Sequence, residues 1–158
     1  MQCKKGDLLL KPGSICSTYY FIYKGQVRSF VEHGDKQITT WLSIQGELVS
    51  SIYSLWSRTP CEEYIEVLSR SVLLLIDAKD VDELYKVHPI SNIITRKLLE
   101  KYYADAGLRS LIARMPTAEL KYNLFAKKFP YLISTIPQKY IASFLGIRQE
   151  TLSRLIKG

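Results

Sequence analysis

Five polar side chains near the C-terminus, Gln149, Glu150, Ser153, Arg154 and Lys157, lie in the run PQKYIASFLGIRQETLSRLIK at 137–157. On a helix opening at about Gln149 they share one face, opposite Leu152, Leu155 and Ile156. Their chemistry is recognition, not bond making. Arg and Gln can form paired hydrogen bonds to base edges in a major groove, and a Glu carboxylate can accept from a cytosine amino group. The ammonium of Lys157 suits a phosphate. So does that of Lys139, which falls in the first turn of the preceding helix.

Positioning these groups requires a second helix and a tight turn. Ile141, Leu145, Ile147, Leu152 and Leu155 fit two short helices packed across a break at Gly146, with Ala142 small enough for close approach where they cross. This is a helix-turn-helix pattern. Gly146 suits the residue after a helix end, where positive φ carries no Cβ penalty. An ordinary helical hairpin with a solvated polar face has the same apolar spacing, and the combination of Ala142, Gly146 and the apolar set decides against it. Upstream, Met115-Pro116 breaks the chain at a candidate hinge. Thr117 then reads as the N-cap of a helix reaching about Lys128, with Leu120, Leu124 and Phe125 as its apolar face. Phe129-Pro130 should stop that helix, and Ile136-Pro137 leads into the motif.

Charge agrees with an anionic partner. The chain of 158 residues carries 22 Lys and Arg against 15 Asp and Glu, a net +7. From Thr117 onward seven Lys/Arg face two Glu, so +5 of that excess lies in the last quarter. Phosphate is the partner this distribution suggests, with a solubilising charge excess as the alternative. A composition 47% hydrophobic and 23% charged is that of a globular chain. Cys3, Cys16 and Cys61 are scattered, without a Cys-x-x-Cys pair or a neighbouring His, which argues against a disulfide framework or metal site and for free thiols in a reducing cytoplasm. No apolar run exceeds Val72 to Ile76, too short to span a membrane. His33 and His88 are the two histidines. No Gly-rich phosphate loop, Ser-His-Asp set or activated cysteine accompanies them, so no catalytic residue and no metal ligand set is expected.

Between Lys5 and Asp77 the punctuation is frequent. Gly6, Pro12-Gly13, Lys24-Gly25, His33-Gly34-Asp35 and Gly46 separate predicted strands at Leu8 to Leu10, Tyr19 to Tyr23, Val27 to Val31, Gln37 to Leu42, Tyr64 to Leu68 and Val72 to Ile76. An antiparallel sandwich or roll follows. Asp77 to Val87 predicts a short helix, and Pro89 opens a longer one. Along it Ile90, Ile94, Leu98, Lys101 or Tyr102, Asp105, Leu108, Ile112 and Met115 recur at steps of three and four. Such a stripe is ordinary core or a dimer seam, and the pattern leaves both open. Gly107 within it marks a weak spot or a close approach by a partner helix.

The run from Lys121 resembles the C-terminal DNA-binding domain of the Crp/Fnr family of bacterial transcription regulators. There an E-x-x-S-R segment opens the recognition helix, matched here by Glu150, Ser153 and Arg154. The resemblance implies that Glu150 and Arg154 read bases with Gln149 beside them. Arg148, expected among the DNA-contacting residues, departs from the pattern, standing where such helices often carry Ser or Thr as N-cap. KKGDLLLKPGS at 4–14 and YYFIYKGQVRSF at 19–30 resemble the cyclic-nucleotide-binding β-roll of the same family, with Gly6, Gly13 and Gly25 at its turn glycines. Gly46 fits the Gly before its phosphate-binding cassette.

What the resemblance implies is an α+β chain. Its parts are a jelly-roll-like antiparallel β-roll serving as effector domain over 1–87, a dimerisation helix and hinge over 88–116, and a winged-helix-type helix-turn-helix domain over 117–158. Ile94, Leu98, Tyr102, Leu108 and Ile112 would form the dimer helix. The implied partners are double-stranded DNA, a second copy of the chain and RNA polymerase. Relatives that bind cyclic AMP use a Gly-Glu pair for the ribose and a later Arg for the phosphate. An ungapped alignment from Gly46 puts Ser50, Ser51 and Cys61 at those positions. Arg58 lies nearby, but Glu62 and Glu63 would repel an anion, so cyclic AMP is not expected to bind in the usual manner. The pocket is then vestigial or tuned to an unidentified, less anionic small molecule, and no cofactor is expected. Measured against the family, the chain begins with the roll under way and stops after the recognition helix, as a truncation or a shortened branch would. Two functions follow: a cytoplasmic, sequence-specific DNA-binding regulator, or a β-roll ligand-binding or protein-interaction module that has lost DNA recognition.

Overall fold

A computed structural model describes residues 1–157 of the chain. The β-rich half forms two four-stranded antiparallel sheets from eight strands: β1 (Gln2–Cys3), β2 (Leu8–Leu10), β3 (Thr18–Lys24), β4 (Gln26–His33), β5 (Lys36–Ile44), β6 (Leu48–Val49), β7 (Tyr64–Val67) and β8 (Ser71–Asp77). One sheet has the order β1-β8-β3-β6 and the other β2-β7-β4-β5, so β5 is an edge strand. The roll that the Gly-punctuated, β-branched sequence predicts is therefore present. Each of the six expected strands has a counterpart, while β1 and β6, two residues each, carry too little pattern to be seen in advance.

Turn chemistry sets the registers. Gly25, with φ 115°, reverses the chain between β3 and β4, where an added Cβ would fall 1.9 Å from Ser71 Oγ. Between the sheets, Ile22, Val27, Ile65, Val67 and Leu73 are fully buried, which is the alternate-residue burial a half-buried strand requires. Two helices escape the sequence reading. One is α1 (Ile52–Ser57), six residues long between β6 and β7.

Six further helices follow: α2 (Ala78–Val87), α3 (Ile90–Arg114), α4 (Ala118–Lys128), α5 (Pro130–Thr135), α6 (Gln138–Leu145) and α7 (Gln149–Lys157). The Asp77 side chain caps α2 by accepting from Lys79 N at 2.8 Å. Thr117 Oγ1 caps α4 by accepting from Leu120 N at 3.2 Å. The other unforeseen helix is α5. Phe129-Pro130 does end α4, but Pro130 then starts a new helix, because its missing N–H is no loss in a first turn. Among the described residues no β-hairpin wing accompanies the helix-turn-helix, and no helix is long and apolar enough to cross a membrane.

A second core joins the C-terminal helices to the roll. Phe125, Phe129, Leu132, Ile136, Ile141, Leu145 and Leu152 pack with Ile112 of α3 and with Leu42 and Leu68 of the roll. This second core also divides the expected dimer stripe. Ile94 and Leu98 are exposed, as are Ile90, Ile93 and Leu99 around them. Tyr102, Leu108 and Ile112 instead face their own chain: Ile112 is buried in the second core, Leu108 packs against it, and Tyr102 Oη accepts from Leu48 N at 2.7 Å. The cause is position along the helix. The C-terminal half of α3 runs between roll and C-terminal helices, and its N-terminal half projects past them.

Candidate nucleic-acid interface

Helices α6 and α7 meet across a turn whose hydrogen bonds account for Gly146. That residue adopts φ 64°, ψ 36°, its N–H donates to Ser143 O at 3.1 Å, and Ile147 N donates to Ala142 O at 3.0 Å. This is a Schellman ending, in which a left-handed residue closes the last helical turn. Lys121 Nζ on α4 donates to Leu145 O at 3.1 Å, placing a cation against the negative end of α6. Ala142 is buried where the two helices approach, and Leu152 anchors α7 with no exposed surface.

With Leu152 inward, α7 turns the expected polar face out. Gln149, Glu150, Arg154 and Lys157 are exposed, and Ser153 is half-buried. Arg148 O accepts from Leu152 N at 3.1 Å, so Arg148 occupies the N-cap position, with its side chain exposed. Glu150 lies in the first turn, where a carboxylate complements the helix dipole. Arg154 Nε reaches back to Glu150 O at 3.5 Å, a long contact that leaves the guanidinium available. Gln149, Glu150, Ser153 and Arg154 line an open depression of about 510 Å³ together with Gln138 of α6. Four of the five residues expected on the polar face of α7 thus converge on one concave surface.

Lys139 is exposed in the first turn of α6, its Nζ 4.6 Å from the ring centroid of buried Tyr140. An ammonium there suits a phosphate contact. Lys139→Ala is therefore expected to lower the slope of log affinity against log salt by about 1, leaving the preferred sequence unchanged. Titrations at several salt concentrations measure this.

The expected effector cassette is a different kind of site. Ser50 Oγ donates to Thr18 O at 2.9 Å and lies 3.3 Å from Cys16 Sγ. Ser54 Oγ accepts from Cys16 N at 3.0 Å and donates to Thr59 O at 2.6 Å. Cys61 Sγ donates to Lys11 O at 3.1 Å, and burial pushes its thiol pKa up. Ser51 is buried, while Arg58 and Glu62 are exposed. Arg58 ends α1 in the left-handed region at φ 57° and lies 4.0 Å from Asp82 Oδ2. The side chains of Ser50, Ser54 and Cys61 are thus occupied by backbone and by one another, and Arg58 points to a carboxylate on α2. Sequence reasoning missed Cys16 and Ser54, which join the cluster only through long-range pairing. Among the described residues there is no group of His, Cys, Asp and Glu that could hold a metal ion.

A β-roll, a long connecting helix and a helix-turn-helix thus follow one another along the chain. Residues 1–88 match the Cyclic nucleotide-binding domain, so the chain belongs to that family. No curated protein sequence matches it. Solved structures share the fold from end to end. FixK2 from Bradyrhizobium japonicum is 14% identical, with 99% of this chain and 81% of that one aligned at a TM-score of 0.82. A CooA mutant from Carboxydothermus hydrogenoformans is 15% identical over 99% of this chain and 73% of its own, at a TM-score of 0.75. TTHA1359, a transcriptional regulator of the CRP/FNR family from Thermus thermophilus, is 18% identical over 99% of this chain and 83% of its own, at 0.70. The fold is that of the Crp/Fnr transcription regulators.

Proposed function

We propose that the chain is a sequence-specific DNA-binding transcription regulator that works as a homodimer and reads a palindromic operator through α7. The observation that carries this reading is the open face of Gln149, Glu150, Arg154 and Lys157, held by a Gly146-closed turn and uncovered by the roll. A two-fold dimer sets two such faces about 34–36 Å apart, one turn of DNA. Selection from random duplex DNA at about 150 mM salt tests it, beside a Glu150→Ala, Arg154→Ala double variant. Enrichment of a palindrome by the wild type alone is the expected result. Enrichment by neither protein would favour the interaction-module reading.

Dimerisation is supported by the exposed isoleucines and leucines on the N-terminal half of α3, an apolar strip that a second copy would cover. Leu98→Asp is expected to give a protein of monomer mass by light scattering; an undiminished dimer would move the interface off this helix. RNA polymerase is a further partner by family likeness. The self-satisfied Ser50, Ser54 and Cys16 cluster and the Arg58 to Asp82 contact support a cassette that does not take cyclic AMP. Calorimetry with cyclic AMP is expected to show no saturable heat, and tight binding would reverse this. Regulation then comes from another effector or is absent.

A further inference from the structure

We infer that Arg109 is a positioning residue for DNA reading: it holds the helix-turn-helix against the β4–β5 hairpin of the same chain, so that the roll fixes the attitude of α7. This inference rests on the DNA-reading function proposed above.

The first helix of the motif, α6, lies along the edge strand β5. Three of its residues, spaced to share one face, make the contact. Tyr140 stacks under the Arg28 guanidinium, 4.3 Å from carbon to ring centroid. Ser143 Oγ accepts from Thr39 N at 2.9 Å and donates to Gln37 O at 3.0 Å, so it occupies backbone groups that an edge strand leaves open. Phe144 faces Arg109 at 5.4 Å.

Arg109 is the member that ties every part together. It projects from α3, is 6% exposed, and donates from Nη2 to Leu42 O on β5 at 3.3 Å. Its guanidinium lies 3.7 Å from the Trp41 ring of β5 and 5.0 Å from the Phe129 ring at the α4–α5 junction. Three aromatic rings from three places in the chain thus share one planar cation. Arg28 is anchored within the roll, where Nε meets Glu66 Oε2 at 2.6 Å. Among the described residues, Arg109 has no carboxylate within ion-pairing distance. Burial lowers its pKa, with the field of Glu47 and Asp105 opposing that shift.

Docking here is therefore held by stacking, shape and hydrogen bonds, against a desolvation cost. Nε and Nη1 of Arg109 and Thr39 Oγ1 are buried along this seam without a partner among the described residues. Undocking would rehydrate these three, which keeps the seam within reach of opening. In the docked arrangement the reading face of α7 stays exposed, so docking is compatible with DNA. It also orders each reading head before DNA arrives, and a head free on its hinge would lose that freedom on binding.

The test uses the full chain with Trp56→Phe, which leaves Trp41 as the single tryptophan and as a reporter within the seam. Acrylamide quenching reads docking, and titration of the selected operator reads affinity. Arg109→Ala is expected to raise Trp41 quenching and to weaken operator affinity about tenfold, with the preferred sequence and salt slope unchanged. Arg109→Lys keeps the charge but lacks the planar stack, and its affinity should fall likewise. Should an Arg109 variant fail to fold by circular dichroism, Ser143→Ala tests the same seam with a change in the same direction.

The positioning role is overturned if Arg109→Ala matches the wild type in both measurements, or if it exposes Trp41 without loss of affinity. It is overturned equally if Arg109→Lys binds as the wild type does while Arg109→Ala does not, since charge alone would then explain the effect. A wild type that binds no selected sequence would remove the DNA-reading function itself, whatever the quenching shows.

Discussion

Phe125→Ala is expected to lower the unfolding free energy by about 3–5 kcal/mol, the cost of truncating a fully buried aromatic side chain and leaving its space unfilled. Phe125 has no exposed surface and sits in the second core, its ring 5.5 Å from Phe129 and 5.6 Å from Phe144. Both ring pairs are tilted, a favourable arrangement that adds about 0.5–1.5 kcal/mol each beyond area burial. The cavity would open between α4, α6 and the α4–α5 junction. Against a total stability of about 5–15 kcal/mol for a domain, this is a large fraction. Urea denaturation followed by circular dichroism measures it, with Phe125→Leu, which fills most of the space, expected to lose much less. A loss below about 1 kcal/mol would mean that the second core collapses around the hole, and that its helices are not packed against one another as described.

Much of this architecture was legible because it is written in local rules. Pro12-Gly13, Lys24-Gly25 and His33-Gly34-Asp35 punctuate the strands, and Thr117 announces its helix as a cap. Gly146 marks the turn because only a residue tolerant of positive φ closes α6 in this way. The polar face of α7 followed from spacing alone, since Leu152 fixes which side is inward. The docking of α6 on β5 was not legible, because it is a property of pairs far apart in sequence. Nothing near Arg109 says that Trp41, Phe129 and Phe144 surround it, and an Arg inside an amphipathic helix ordinarily reads as solvated. The stripe along α3 failed to separate for a related reason. Periodicity says that Ile94 and Ile112 share a side of the helix, but not that the chain covers one and leaves the other open. Pro130 shows a third limit, since the same residue that ends one helix is well suited to begin the next.

The double change Glu150→Ala, Arg154→Ala is expected to abolish sequence preference while leaving general affinity for DNA largely in place. A well-placed base contact discriminates by about 1–3 kcal/mol, and a two-fold dimer presents each side chain twice, so either single substitution should cost about 2–6 kcal/mol on the operator. The double change should reach the non-specific level, since specific binding commonly exceeds it by about 4–10 kcal/mol. Lys139, Arg148 and Lys157 are exposed and untouched by these changes. They retain the electrostatic attraction to phosphate that dominates non-specific binding. The salt dependence separates the roles. If Arg154 reads a base, Arg154→Ala weakens the operator but not random DNA and leaves the salt slope nearly unchanged. If it contacts phosphate, both DNAs weaken together and the slope falls by about 1 per lost contact. Glu150 sharpens the comparison, because a carboxylate near a polyanion is repelled unless it accepts a hydrogen bond from a base. Glu150→Ala should therefore tighten random DNA slightly while weakening the operator, and tighter binding to both would remove Glu150 from the reading face.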